Sequence, residues 1–213
     1  MLSETELANK LHDALGQKVD GEGLPTEPSA ETQEYASGIV AALKAAIVSN
    51  LPGTINGVTA AGGPLSAGTG LGGLMVITPG PMLAKTANGF APPGPTLSSE
   101  NSAVITYIGT GLVSFAPGNI TGQCTSTPVS PGPLANGAGT GGTILGLTGA
   151  GCAAAVAAAT GSSGPDALKH YTALIEYISD NAEVEYASGS VVGVCPPGGG
   201  PLTAGAGIGG TIT

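Results

Sequence analysis

GPLSAGTGLGG, from Gly63 to Gly73, recurs as GPLANGAGTGG from Gly132 to Gly142 and as GPLTAGAGIGG from Gly200 to Gly210. The three copies, called the glycine motifs below, share the pattern Gly-Pro-Leu-x-x-Gly-x-Gly-x-Gly-Gly and begin 69 and 68 residues apart. Self-similarity at a nearly fixed period indicates a repeat architecture. The spacing predicts three tandem repeats, each about 70 residues long.

The predicted fold is α+β, and each repeat unit contains a short helix, a longer helix, a β-hairpin and a glycine-rich extended arm. The boundaries fall near Val76 and Ile144, which gives units at 1–76, 77–144 and 145–213. The first unit also carries an acidic N-terminal helix and a polar linker at 20–29. Units of this size bury little apolar surface alone, so they are expected to pack on one another or on a neighbouring chain.

Helix signals are clearest near the N-terminus. Ser3 and Glu6 have the spacing of a capping box, and Gly16 is placed to end the helix. The next predicted helix, Ala30 to Ser49, has an apolar stripe with i+4 spacing that ends at Ile47. The later helices are predicted at Pro81–Asn88, Ser98–Gly109, Ala150–Thr160 and Pro165–Asp180, with Pro165 in the first turn.

Short strands are predicted before each glycine motif. Two paired runs, Val113–Phe115 with Asn119–Cys124 and Glu183–Tyr186 with Ser190–Cys195, indicate hairpins with tight turns. The first unit offers only Thr54–Thr59, so its hairpin is predicted to be truncated.

Charge is scarce: the chain has five lysines, no arginine and fourteen acids, for a net charge of -9. The run from Asn101 to Pro165 contains no charged side chain. Since soluble surfaces normally intersperse both signs, this run predicts a surface that contacts protein. The absence of arginine argues against nucleic-acid binding. The 41% hydrophobic content argues against disorder, despite the abundance of glycine and proline.

The glycine motifs formally match the dinucleotide fingerprint Gly-x-Gly-x-x-Gly. That fingerprint requires a following helix, whereas here β-forming residues follow each copy. We therefore interpret each motif as an extended arm that docks on the next unit or the next subunit, for example by strand addition. The predicted assembly contacts are Pro64, Leu65, Gly68, Gly70, Pro133, Leu134, Gly137, Gly139, Pro201, Leu202, Gly205 and Gly207.

No catalytic, cofactor or metal site is predicted. Asp166 and His170 lie one helical turn apart, a spacing more typical of a surface ion pair than of catalysis. The three cysteines form no evident disulfide framework. Cys124 and Cys195 correspond to Thr59 in the first unit, which favours a small half-buried residue, and Cys152 is interpreted as buried packing.

The segment from Tyr177-Ile-Ser-Asp-Asn-Ala-Glu-Val, through Gly193-Val-Cys, to Gly207-Ile-Gly-Gly-Thr-Ile-Thr resembles the C-terminal pattern of small structural proteins of tailed bacteriophages. The resemblance implies a virion component of the neck, baseplate or capsid accessory class, and it implies no catalytic residues.

The sequence thus favours a non-enzymatic structural subunit of a large assembly, with copies of itself and other structural proteins as partners. The alternative is a binding or attachment module displayed on a particle or cell. No small-molecule substrate or membrane span is expected. Met1 to Glu6 is acidic where a secretion signal is basic, so localisation in a virion assembled in a reducing host cytoplasm is expected.

Overall fold

The computed structural model describes residues 1–16, 26–86, 95–161 and 164–213. It is α+β, with six helices and an antiparallel sheet in the described residues. The chain divides into two compact units, each assembled from three separate segments. A helical unit comprises Met1–Ala45, Ile77–Thr110 and Gly146–Ala182, and a strand unit comprises Ala46–Val76, Gly111–Leu145 and Glu183–Thr213.

The helical unit contains helices that contact one another in chain order, and the last also contacts the first. Ser3 is confirmed as the cap of this helix, because the Glu6 N–H donates to Ser3 Oγ at 3.3 Å. The reciprocal half of the capping box is not formed, since the Ser3 N–H donates to the Tyr177 hydroxyl at 2.5 Å. At the closing contact, the Tyr177 hydroxyl donates to the Ser3 carbonyl at 2.8 Å. The helices are α1 (Glu4–Ala14), α2 (Ala30–Lys44), α3 (Gly80–Thr86), α4 (Pro95–Ile108), α5 (Gly149–Thr160) and α6 (Ala167–Asn181).

The core of the helical unit is aliphatic. Leucine, isoleucine and valine at helical spacing bury one face of each long helix, which is the amphipathic pattern that the sequence predicted. Fully buried members are Leu7, Leu11, Ile39, Leu43, Val104, Ile105, Ile108 and Leu174. None of the described helices has the length and apolar character needed to cross a membrane.

Two boundaries of the predicted helices are corrected. Helix α2 ends at Lys44, and Ile47, placed on its apolar stripe, instead begins a strand and is exposed. Ile47 and Val48 are β-branched, which favours the strand. Pro165 precedes the Asp166 N-cap and so lies outside α6. Parts of the predicted linker at 20–29 and of the hinge at 91–95 lie outside the described residues.

The strand unit is a closed antiparallel sheet. Each of six long strands pairs with a neighbour on both sides, in the order β1-β2-β3-β4-β5-β7 and back to β1, while β6 pairs with β1. Closure satisfies the backbone groups that an open sheet would leave at its edges. The strands are β1 (Ile47–Ala60), β2 (Leu65–Val76), β3 (Leu112–Cys124), β4 (Gly132–Leu145), β5 (Val184–Cys195), β6 (Gly199–Pro201) and β7 (Thr203–Ile212).

The predicted hairpins are wrong in their connectivity. Each predicted strand pair is one continuous strand, and the supposed turn is an irregularity in its pairing. Gly53, Gly118 and Gly189 lie there with φ of 86°, 93° and 88°, which glycine adopts without a steric penalty. The second strand of each hairpin is formed by the glycine motif that was predicted to be an arm.

The first hairpin is not truncated. Val48 and Asn50 in β1 take the register positions that Val113 and Phe115 take in β3. Sequence reasoning missed this half of β1 because Asn50 interrupts the apolar alternation that marked the other strands.

Candidate functional site: the strand unit and its outer face

Each glycine motif packs against the strand that begins the next third of the chain. Gly68 pairs with Ile120, and the register repeats for Gly137 with Val191 and for Gly205 with Ile55. A Cβ at any of these glycines would collide with the carbonyl oxygen of its partner. The glycines therefore permit a strand-to-strand approach that no side chain allows.

The next motif glycines face a small aromatic and polar core inside the sheet. Gly70 pairs with Phe115, Gly139 with Tyr186 and Gly207 with Asn50. The Tyr186 hydroxyl donates to Asn50 Oδ1 at 2.9 Å, and the Phe115 and Tyr186 ring centroids lie 5.4 Å apart. Burial raises the pKa of Tyr186 to about 12, so this hydroxyl remains a donor at neutral pH.

The motif leucines pack on glycines of the preceding strand. Leu65, Leu134 and Leu202 are buried, and Leu65 lies over Gly57. Of the twelve predicted assembly contacts, the leucines and glycines are buried in the chain's own strand unit, and the three prolines are exposed. Their role as contacts with other molecules stays a prediction.

Two of the cysteines form a disulfide, although the sequence showed no evident disulfide framework. Cys124 and Cys195 are joined across a sequence separation of 71 residues with a Cα–Cα distance of 5.9 Å. At the corresponding place in β1, the Thr59 hydroxyl donates to the Gly200 carbonyl at 3.0 Å. The sequence of one segment alone could not reveal this pairing, because the bond joins β3 to β5, two strands that are distant in the sequence.

The outer face of the sheet carries an apolar patch. Five aliphatic side chains are each 47–64% exposed. They lie on four adjacent strands, since Ile47 pairs with Val76, Leu74 with Leu112, and Leu112 in turn with Leu145. We call this set the outer apolar patch: Ile47, Leu74, Val76, Leu112 and Leu145.

The outer apolar patch does not continue around the sheet. In the patch, Leu74 lies opposite Ser49. At the corresponding positions in the other two thirds of the chain, threonine replaces leucine: Thr143 lies opposite Ser114, and Thr211 lies opposite Glu185. Ile47 and Val76 pair in the first third of the chain. At the corresponding place in the last third, backbone hydrogen bonds join the polar residues Glu183 and Thr213. At these positions the apolar character is therefore not required by the strand pairing, although single exposed aliphatic side chains such as Ile208 occur elsewhere on the sheet.

Charge is also nearly missing from the strand unit. Glu183 and Glu185 are the only charged side chains in its sequence segments. A surface with exposed aliphatic side chains and few charges loses little favourable hydration when it is covered. Contact of this surface with another apolar surface therefore lowers the free energy. Sequence reasoning missed the patch residues because burial of alternate strand residues was expected, and only the register shows which apolar residues point outward.

The Asp166 and His170 pair is not formed. Asp166 instead accepts from Lys169 Nζ at 3.1 Å, and the His170 ring lies edge-on to Tyr35, with centroids 5.2 Å apart. Cys152 is fully buried, as predicted, and burial raises the pKa of its thiol to about 12. Within the described ranges, no group of three or more histidine, cysteine or acidic residues has the arrangement of a metal site.

Comparisons of the chain with family models, curated proteins and solved structures gave no match.

Proposed function

We propose that this chain is a non-enzymatic structural subunit of a large assembly, and specifically a virion component of a tailed bacteriophage. The observation that carries the proposal is the nearly uncharged strand unit with its outer apolar patch. The resemblance of the C-terminal segment to small phage structural proteins points in the same direction.

The size of the patch favours many contacts over one strong dimer. Full burial of a valine, leucine or isoleucine side chain contributes about 1.5–3 kcal/mol. Since roughly half of each patch side chain is already buried, the five together contribute on the order of 5 kcal/mol. Association costs about 4–15 kcal/mol in lost freedom, so the patch alone gives weak binding that several neighbours must reinforce.

We further propose that the chain is three tandem repeats with pseudo-threefold geometry. The matching registers of Gly68, Gly137 and Gly205 support this, as do the matching left-handed residues Ala67, Asn136 and Ala204. In this proposal the repeats build a rigid closed sheet, and the outer apolar patch, which spans the strands of the first two repeats, marks that part of it for a neighbour.

The test replaces patch residues with residues that the chain itself uses at corresponding positions. Thr143 and Thr213 correspond to Leu74 and Leu145, so the double variant Leu74→Thr, Leu145→Thr retains side chains that the sheet accommodates. Light scattering after size exclusion measures mass against concentration. The unchanged chain should exceed its 20.2 kDa monomer mass, and the double variant should need about tenfold more protein to do so.

The matched control is Val129→Thr, which removes the most exposed valine at 87% exposure without touching the patch. It should associate like the unchanged chain. A chain that stays monomeric at every concentration and does not bind purified phage particles would overturn the proposal. So would a double variant that associates as readily as the control.

A surface-displayed attachment module is the second candidate, and the Cys124–Cys195 disulfide favours it. Disulfides persist on secreted proteins and on virion or cell surfaces, and they are rare in a reducing cytosol. Labelling intact particles or cells with an antibody against the chain separates the candidates. Accessible strand-unit epitopes support display, and epitopes accessible only after disruption support a scaffolding role.

A further inference from the structure

The helical unit contains a cavity of about 410 Å³ at which α4, α5 and α6 meet the end of α1. Its volume lies within the range of small-ligand sites. Its lining combines apolar side chains with an acid, an imidazole and a phenol. The residues that matter to its chemistry are Leu15, Glu100, Val156, Asp166, His170 and Tyr171.

Glu100 is the fixed charge of the cavity. The Tyr171 hydroxyl donates to Glu100 Oε1 at 2.7 Å, which sets the orientation of the carboxylate. Among the residues that the structure describes, no lysine or histidine forms an ion pair with Glu100. The carboxylate is thus held in place, half-buried, with capacity to accept further hydrogen bonds.

His170 does not neutralise this charge. Burial lowers the pKa of its imidazole, although the nearby Glu100 opposes that shift, so the ring is neutral at pH 7. Asp166 at the rim is already paired with Lys169. Within the described ranges, the inner cavity therefore carries one negative charge, that of Glu100, with no cationic side chain paired to it.

Two ring-bearing residues, His170 and Tyr171, line the cavity together with Glu100. The His170 ring centroid lies 5.2 Å from that of Tyr35 and 5.1 Å from that of Tyr171. The Tyr35 hydroxyl is buried without a hydrogen-bond partner in the described part of the chain. A carboxylate forms charge-assisted hydrogen bonds with an ammonium group, and the apolar side chains of the same lining suit an alkyl chain.

We propose that this cavity binds a small alkylammonium ion, whose charged head pairs with Glu100 and whose alkyl tail packs on Leu15 and Val156. The head would pair with a carboxylate for which the described part of the chain supplies no counter-ion, and the tail would cover apolar side chains of the lining. This site is independent of the assembly proposed for the strand unit.

The probe is butylammonium, and its uncharged counterpart is 1-butanol. The full chain has two histidines, so their ring C–H resonances give a resolved pair of reporters. His170 lines the cavity, whereas His12 Nε2 lies 2.9 Å from Thr26 Oγ1 and does not line it. Butylammonium should shift the His170 signals saturably and leave those of His12 in place, and 1-butanol should bind about tenfold more weakly.

Glu100→Gln removes the charge, keeps the shape and still accepts from Tyr171, so it should weaken butylammonium binding about tenfold or more. Glu176→Gln is the matched control, because Glu176 lies in α6 like His170 but is not part of the cavity lining; it should change binding less than about twofold. Equal binding of butylammonium and 1-butanol, unchanged binding by Glu100→Gln, or no saturable His170 shift up to about 10 mM would each overturn the proposal.

Discussion

The helical unit and the strand unit reach an ordered core by different routes. In the helical unit, aliphatic side chains at helical spacing fill the interior, and the segments of this unit hold all five lysines and most of the acids. In the strand unit, glycines bring backbones together, one disulfide joins two strands, and charge is nearly absent.

The difference teaches where each unit is vulnerable. In a side-chain core, the loss of one methyl group costs about 0.5–1.5 kcal/mol, because neighbouring side chains relax partly into the space. Where two backbones pack directly against each other, the structure cannot adjust in this way. An added methyl group would collide with a carbonyl oxygen that the hydrogen bonds of the sheet hold in place. The largest effects of small changes are therefore expected in the strand unit.

Loss of the disulfide should have the largest effect. A loop of 71 residues closed by a disulfide restricts the unfolded chain by about 4 kcal/mol in the entropic model. The double variant Cys124→Ser, Cys195→Ser should lower the free energy of unfolding by about that amount. Hydrogen exchange should show the loss mainly in peptides of the strand unit.

Reductant provides the control for this prediction. It should destabilise the unchanged chain and leave the double variant unaffected, because no second bond remains to be reduced. Equal loss of protection in both units would mean that the disulfide does not act on the strand unit alone, and the contrast drawn above would fail.

Gly137→Ala should come next. Its Cβ would collide with the Val191 carbonyl oxygen, and we expect a loss of about 3 kcal/mol or more because neither backbone can move without breaking the ladder. Gly80→Ala in α3 is the matched control, since a Cβ there meets nothing within 4 Å. Chemical denaturation measures both, and similar midpoints for the two variants would contradict the close-approach explanation.

Two tyrosine variants sharpen the comparison on a smaller scale. Tyr186→Phe leaves buried Asn50 Oδ1 without its donor and should cost about 1–2 kcal/mol. Tyr107→Phe in the helical unit removes an exposed acceptor for the Thr148 N–H, which water replaces, so about 0.5 kcal/mol or less is expected. Thermal unfolding of the two variants gives the difference, and equal losses would show that the interior of the sheet is hydrated.

The same contrast explains which features the sequence predicted. The α1 cap at Ser3, the α5 segment Gly149–Thr160 and the burial of Cys152 follow from local rules, because helix formation depends on neighbours a few residues away. The strand pairing of the glycine motifs, the Cys124–Cys195 bond and the outer apolar patch depend on register between distant segments. No periodicity within one segment specifies that register.

The smallest predicted effect is a pH response confined to the helical unit. Burial lowers the pKa of His170, so the unfolded chain binds a proton more readily than the folded chain does. Stability is therefore fully present above the ordinary histidine pKa of about 6.5 and decreases as the pH falls below it. Tyr35, Tyr171 and Glu100 surround the ring, and among them the Glu100 carboxylate reduces the effect.

Melting followed by helical circular dichroism from pH 8 to pH 5 should show the decrease in stability, and His170→Gln should make the stability less dependent on pH. The strand unit contains no histidine, so its hydrogen-exchange protection should change less over the same interval. A pH response of equal size in both units would show that His170 is not its source.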